Sequence, residues 1–140
     1  MSKTSFHSFL ALPKASQLSE NLDDVSTTLV HRRILQRKPF LRQSYSEFYR
    51  TMRARLEPDP DAKTVLEIGS GAVFIKEIFP RCITSDLIAM DGLDVACSVL
   101  DFPFKDRSLD AVVMINVLHD LPDVRLFFRN CAVACVPAAG

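Results

Sequence analysis

The sequence predicts an α/β fold, in which a parallel sheet follows a helical N-terminal segment. Short apolar runs recur after residue 62, and each ends in polar residues or glycine. The first of these runs, residues 65–68, breaks into a paired-glycine turn, as the first strand of a doubly wound sheet does. Before residue 57, apolar side chains recur instead at three- and four-residue spacing, which is typical of amphipathic helices.

The N-terminal segment carries the helical pattern. Its main apolar stripe predicts a helix that begins near Pro39, because proline is favoured in the first turn of a helix. An earlier helix is predicted through Val30, Ile34 and Leu35. The members of the main stripe are Leu41, Tyr45, Phe48, Tyr49, Met52 and Leu56.

Charge divides the chain into two regions although its net charge is zero. The segment from His31 to Arg55 contains eight Lys and Arg and one acid, which gives a net charge of +7. The segment from Glu57 to Val124 contains thirteen acids and five bases, which gives a net charge of −8. The Pro-Asp-Pro-Asp stretch at residues 58–61 predicts a linker. We expect residues 1–57 to form a helical extension or cap and residues 62–140 a second unit. The basic helix packs on the acidic unit with its charges in water, or it attracts nucleic acid or another anionic substrate.

The turn after the first strand is the main candidate site. Val65, Leu66 and Ile68 predict a buried strand, and residues 72–79 predict a helix directly after the turn. Glycine has no Cβ, so the backbone N–H groups of such a turn can approach a ligand closely. A dinucleotide site requires a third glycine where this chain has Phe74. An ordinary strand-to-helix turn with an exposed Glu67 is the alternative.

Three further strands are predicted. Residues 82–86 end in Asp86, whose carboxylate would accept hydrogen bonds from a ribose diol; a solvated loop aspartate is the alternative. Residues 94–97 predict a short third strand, and residues 111–115 predict a fourth. Crossover connections between these successive strands are therefore expected to produce a parallel sheet.

These segments together resemble a known family. The pattern Glu67-x-Gly69-x-Gly71 resembles motif I of the class I S-adenosylmethionine-dependent methyltransferases. Residues 98–110 resemble that family's D-A-x-x-L-P-F-x-D-x-S-F-D segment, and residues 111–123 resemble its fourth strand with the N-x-L-H-H-x-x-D continuation. The resemblance covers about residues 62–137 and is closest to the methyltransferase type 11 branch.

The resemblance implies a fold, a cofactor and a set of site residues. The fold is a Rossmann-like methyltransferase sheet of order 3-2-1-4-5-7-6, of which this chain supplies strands one to four and is therefore expected to be incomplete. The cofactor is S-adenosylmethionine, and Val99 would offer its backbone N–H to the adenine. By position in the motifs, the cofactor-side residues are Glu67, Gly69, Ser70, Gly71, Asp86, Val99 and Asn116. The chain departs from the family pattern at several positions: Val73 replaces a third glycine, Ser98 replaces an aspartate, Asp120 replaces a second histidine, and residues 136–140 replace x-P-G-G.

The implied activity is methyl transfer from S-adenosylmethionine to an acceptor that the motifs do not identify. His119 is the candidate general base, and a locally satisfied loop histidine is the alternative. Two other functions remain open: a catalytically incompetent fragment or S-adenosylmethionine-binding module, and a half-domain that binds a nicotinamide dinucleotide. The missing dinucleotide glycine and the presence of Glu67 disfavour the last of these.

Partners and location follow from simpler features. A fourth strand at the edge of the sheet would leave N–H and C=O groups unpaired, so self-association through that edge is possible. No apolar run is long enough to span a membrane, and a cytoplasmic location is expected. The four cysteines lack C-x-x-C spacing, which favours reduced thiols over a metal site.

Overall fold

The computed structural model describes residues 25–71 and 74–137. Two helices, α1 (Val25–Arg37) and α2 (Pro39–Ala54), precede the sheet. Pro39 occupies the first turn of α2, where the missing N–H of proline removes no helical hydrogen bond. The predicted start of the main helix is thus confirmed.

Four parallel strands form one sheet in the order β3-β2-β1-β4. Their bounds are β1 Val65–Ile68, β2 Ile83–Asp86, β3 Val95–Ala96 and β4 Ala111–Met114. The strand β1 lies in the middle and pairs in parallel with both β2 and β4. This is the order expected for the first four strands of a Rossmann-like methyltransferase sheet, so the predicted fold class is confirmed.

The strand order fixes where a ligand would bind. After β1 the chain crosses to one side to make β2, and after β3 it crosses to the other side to make β4. The loops that leave β1 and β4 therefore diverge, and a crevice opens between them at the carboxyl ends of the strands.

The prediction of a helix over residues 72–79 is wrong for the residues that the structure describes. Within the part of this stretch that the structure describes, residues 74–79, there is one short 3-10 helix, Ile75–Glu77. Pro80 follows at once, and a residue before proline disfavours the α conformation. Ile75 and Phe79 are both buried, so this turn serves mainly to cover the sheet.

Each face of β1 packs against a different helix. The side chains of Val65 and Glu67 point toward α2, whereas Leu66 and Ile68 point to the opposite face. That opposite face is covered by α3 (Val124–Ala134), whose Phe127 is fully buried. All four residues of β1 are buried as a result.

The predicted apolar stripe of α2 is partly wrong. Tyr49 is its buried member, and Tyr45, Met52 and Leu56 pack against the same core. Phe48 is instead 51% exposed, because it lies roughly 100° around the helix from Tyr49. The helix thus uses a narrower face than the spacing suggested.

Ion pairs join the basic helix to the acidic part of the chain. Arg42 Nη2 lies 2.6 Å from Glu77 Oε2, and Arg53 Nη2 lies 2.6 Å from Asp61 Oδ2. These contacts agree with the interpretation of the basic segment as a cap. The division at residues 57–62 into two units stays a prediction.

The strand β4 forms one edge of the sheet, as expected. Within residues 25–71 and 74–137, the ladder of β4 is made with β1 alone. An isolated parallel bridge pairs Leu109, which precedes β4, with Cys135. Self-association through β4 stays a prediction. Among the described residues, no helix has the length and apolarity needed to cross a bilayer.

Candidate functional site

A groove of about 530 Å³ opens at the carboxyl ends of β1, β2 and β4, beneath α2. Its walls come from both halves of the chain. All seven cofactor-side residues predicted from the sequence line it, so the fold brings together positions that are up to 49 residues apart. These lining residues are Glu67, Gly69, Ser70, Gly71, Asp86, Val99 and Asn116.

Glu67 is the most unusual group in the groove. Only 3% of its surface is exposed, so the alternative of a turn with an exposed glutamate is wrong. Because β1 alternates its side chains, Glu67 faces α2, and the Tyr49 hydroxyl donates a hydrogen bond of 2.5 Å to its Oε1. No Lys or Arg among the described residues forms an ion pair with Glu67, which leaves a buried acid without a positive partner.

The surroundings of Glu67 perturb its protonation. Burial raises the pKa of this carboxyl most strongly, and the nearby charge of Asp86 raises it further. Hydrogen bonds from Ser70 and Tyr49 act in the opposite direction but do not overcome burial. Burial, and then the Glu67 carboxylate, also raise the pKa of Tyr49 far above its ordinary value. Tyr49 therefore remains a protonated donor at any physiological pH.

Gly69 joins two loops at the floor of the groove. Its φ is +69°, a left-handed conformation that favours glycine. A Cβ at this position would also lie 2.4 Å from Cγ2 of Val117, in the loop after β4. The first glycine of the motif is thus required both by backbone conformation and by the close approach of these loops.

Ser70 contributes to the sheet as well as to the groove. Its backbone N–H donates to the Ser85 carbonyl at 2.9 Å, and its Oγ accepts from the Ser85 N–H at 3.2 Å. The Ser85 hydroxyl in turn donates to the Glu67 carbonyl at 2.7 Å. Ser70 is only 2% exposed, so its hydroxyl serves mainly to join the turn to β2.

The remaining predicted cofactor-side residues occupy the loops after β2 and β3. Asp86 ends β2, and its Oδ1 accepts a hydrogen bond from the Ile88 N–H at 3.5 Å. Val99 lies in the loop after β3, where its carbonyl accepts from Asn130 Nδ2 at 3.2 Å. Ser98 Oγ also lines the groove and accepts from the Leu100 N–H. Val73 lies outside the described residues.

Asn116 and Tyr45 form a second link between the sheet and α2. Asn116 follows β4 with a φ of +57°, which asparagine tolerates better than most residues. Its Nδ2 donates to the Tyr45 hydroxyl at 3.2 Å. Tyr45 and Tyr49 are one helical turn apart, so α2 presents two hydroxyl groups to two separate walls of the groove.

Tyr45 and Tyr49 line the groove, and Arg32 lies outside the lining but binds the glycine turn; the sequence predicted none of the three as a site residue. The two tyrosines were counted as apolar stripe, although a hydroxyl on a buried face signals a polar partner. Arg32, on α1, donates from Nε to the Gly71 carbonyl at 2.9 Å and from both Nη atoms to the Asp91 carbonyl at 3.4 Å. No local pattern in the sequence predicts that contact, because its partners are backbone atoms.

His119 is separated from the groove. Its side chain is 71% exposed, and its Nε2 lies 3.3 Å from Asp120 Oδ1. It belongs to an adjoining shallow depression that also involves Met114 and Leu118, whereas Asp120 lines the groove itself. His119 therefore shares this depression with Asn116 but does not line the groove that holds all seven predicted residues.

The charge of the groove restricts its ligand. Three carboxylates, Glu67, Asp86 and Asp120, line it, and no described Lys, Arg or His does. Such a lining attracts a cation and repels a phosphate. Within residues 25–71 and 74–137, no group of three His, Cys, Asp or Glu side chains is placed to hold a metal ion.

Comparison with known proteins adds one match. The family model described as a methyltransferase domain matches residues 66–138, which is just over half of the chain. The matched region begins in β1 and includes every strand of the sheet from there. Searches of curated proteins and of solved structures found no match.

Proposed function

We propose that this chain, which belongs to the family of class I S-adenosylmethionine-dependent methyltransferases, binds S-adenosylmethionine in the groove beside β1 and transfers its methyl group to an acceptor. Methyl transfer in general follows from the family. We propose which residues hold the donor, and we propose that this chain catalyses the transfer.

The charge of the groove carries the proposal. S-adenosylmethionine has a positive sulfonium and a positive ammonium, and both are stabilised by nearby carboxylates. Nicotinamide dinucleotides instead carry a pyrophosphate, which requires basic groups or a helix N-terminus. The groove has three acids and no described basic side chain, and only a three-residue 3-10 helix follows the glycine turn in the described part of the chain.

Each predicted residue is assigned one part of the donor. Glu67 accepts the ammonium, because it is a buried acid with which no described Lys or Arg forms an ion pair. Asp86, at the end of β2, accepts the ribose hydroxyls, and the Val99 backbone N–H meets the adenine. Gly69 and Gly71 let the backbone pass close beneath the amino-acid end, and Asn116 closes the opposite wall.

The chemistry needs little from protein side chains. An acceptor lone pair forms a bond to the methyl carbon in line with the breaking C–S bond, whose electron pair neutralises the sulfonium. The chain's contribution is to align donor and acceptor and to exclude water. Since His119 lies outside the groove, its role as a base stays a hypothesis, to be tested by the methylation rate of His119→Ala.

Calorimetric titration of the full chain with S-adenosylmethionine and with NAD⁺ tests the proposal. We expect saturable binding of S-adenosylmethionine and at least tenfold weaker binding of NAD⁺. Preferred binding of NAD⁺ would overturn the assignment.

A methyl-release assay with labelled donor and a panel of acceptors then separates an enzyme from a binding module. Transfer above the rate of the protein-free reaction supports methyl transfer. Tight donor binding without transfer to any acceptor would support the alternative of a catalytically incompetent fragment or S-adenosylmethionine-binding module.

A further inference from the structure

We infer that Tyr49 is a positioning residue for the methyl donor: its hydroxyl holds the buried Glu67 carboxylate ionised and turned toward the groove, where it receives the donor's ammonium. The inference rests on the proposed function and assigns to the N-terminal helix a part in donor recognition. The family match begins at residue 66, so Tyr49 lies outside it.

The geometry leaves the Tyr49 side chain little freedom. Tyr49 is 4% exposed, and its ring packs edge-on against the ring of Phe74, with the two centroids 5.4 Å apart. The Tyr45 ring, 6.4 Å away by centroids, borders it on the same helix. A hydroxyl held by two such rings cannot turn to water, so its short hydrogen bond to Glu67 Oε1 is a fixed part of the site.

The groups around Glu67 show why this hydrogen bond matters. Asp86 faces it from β2, Cys82 lies nearby before that strand, Tyr49 faces it from α2, and Ser70 donates a second hydrogen bond. None of these groups supplies a positive charge. A hydrogen bond that favours the charged carboxylate is therefore one of the few influences that oppose burial.

The direction of the effect follows from these groups. Burial raises the pKa of Glu67, and the hydrogen bonds from Ser70 and Tyr49 lower it again in part. Because Tyr49 itself stays protonated, it donates to Glu67 throughout the range in which the carboxyl titrates. Loss of this hydroxyl would raise the pKa of Glu67 and make donor binding fail at a higher pH.

The test compares Tyr49→Phe with the unmodified chain. The carboxyl carbon of Glu67, labelled with ¹³C and assigned by its absence in Glu67→Gln, is titrated by NMR in the full chain without ligand. Binding of S-adenosylmethionine is then measured by calorimetry at pH 6 and pH 8. Tyr45→Phe is the matched control, because it removes the other hydroxyl of the same helix, one turn away.

We expect the Glu67 titration in Tyr49→Phe to move to higher pH, and the titration in Tyr45→Phe to stay in place. Affinity for S-adenosylmethionine in Tyr49→Phe should fall roughly tenfold at pH 6 and less at pH 8, as expected for loss of a hydrogen bond to a charged group. In the Glu67→Gln background, Tyr49→Phe should change the affinity equally at both pH values.

Two results would overturn the inference. An unchanged Glu67 titration in a folded Tyr49→Phe would reduce Tyr49 to a packing residue, whatever the chain binds. A shifted titration with unchanged donor affinity at both pH values would separate Tyr49 from donor recognition. Absence of S-adenosylmethionine binding in the unmodified chain would contradict the proposed function instead, and the ligand-free titration keeps these failures apart.

Discussion

The two faces of β1 are built for different purposes. The face toward α3 is apolar throughout, and Leu66 packs there in one cluster with Leu109 and the fully buried Phe127. The face toward α2 also has an apolar base, but it ends in Glu67 and its hydrogen bond to Tyr49. One strand of four residues thus carries a stabilising face and a recognition face.

The difference shows how the N-terminal helices serve the site. An acid buried on the α2 face costs the fold free energy unless it gains a partner. Helix α2 supplies Glu67 with a hydrogen-bond donor, but its arginines form no ion pair with Glu67, which leaves that place for a ligand. We therefore expect substitutions on the α3 face to act on stability, and substitutions on the α2 face to act on binding and its pH dependence.

The largest effect on stability is expected from Phe127→Ala. Removing a fully buried phenyl ring leaves a cavity and should cost about 3–5 kcal/mol of unfolding free energy. Phe128→Ala, at the adjacent and 53% exposed position, is the control and should cost far less. Denaturant unfolding of both variants measures the difference, and equal losses would contradict the packing of α3 against β1.

Gly69→Ala is expected to have the next largest effect. The left-handed backbone and the clash with Val117 should together cost about 2–4 kcal/mol and weaken donor binding. Gly92→Ala has a comparable backbone conformation, with φ at +91°, but lies outside the groove lining. If calorimetry finds equal losses of S-adenosylmethionine affinity in the two variants, the contact between the two loops does not shape the site.

Glu67→Gln should separate stability from binding. The folded-state pKa of Glu67 is raised, so its contribution to stability is full below its unfolded pKa and is lost as the pH rises through the folded value. The variant should therefore unfold at higher denaturant concentration than the unmodified chain at pH 8, with the advantage lost near pH 4.

Glu77→Gln is the control for that pH effect, because Glu77 is an exposed acid in an ion pair with Arg42. Its substitution should bring no stabilisation at pH 8. A Glu67→Gln variant that is less stable than the unmodified chain at pH 8 and equally stable at pH 4 would show that Glu67 is stabilised, rather than strained, by its surroundings.

Tyr45→Phe is expected to have the smallest effect. It removes one partly exposed hydrogen bond to Asn116, worth about 0.5–1 kcal/mol. Affinity for S-adenosylmethionine should fall by about twofold to threefold, because Asn116 remains on the groove wall without its partner. Thermal unfolding measures the change in stability, and calorimetry measures the change in affinity. An unchanged affinity would show that the Tyr45 hydroxyl does not contribute to donor binding.

The sheet was predictable because its signals are local. Each element has its own local signal: a short apolar run, a glycine turn, or an acid at the end of the next strand. The strand order follows from the family resemblance. Gly69 shows the same for the site: its positive φ is a requirement of the turn itself. These features depend on residues close together in the chain.

The rest depends on contacts between distant residues. Tyr49 and Glu67 are 18 positions apart, and Arg32 reaches the Gly71 carbonyl across 39 positions, so no local period reveals either contact. The expected helix after the turn was wrong for a related reason: buried Ile75 and Phe79 fit a helix pattern, but Pro80 and packing on the sheet favour a short 3-10 turn.

The most direct test of the account compares two ligands on two proteins. S-adenosylmethionine and 5′-methylthioadenosine share adenine and ribose, but only the former carries the sulfonium and the ammonium. We predict that calorimetry at pH 7.5 will show Glu67→Gln to weaken S-adenosylmethionine binding at least tenfold and methylthioadenosine binding less than about twofold. Equal effects on the two ligands, or none on either, would contradict the assignment of Glu67 to the charged end of the methyl donor.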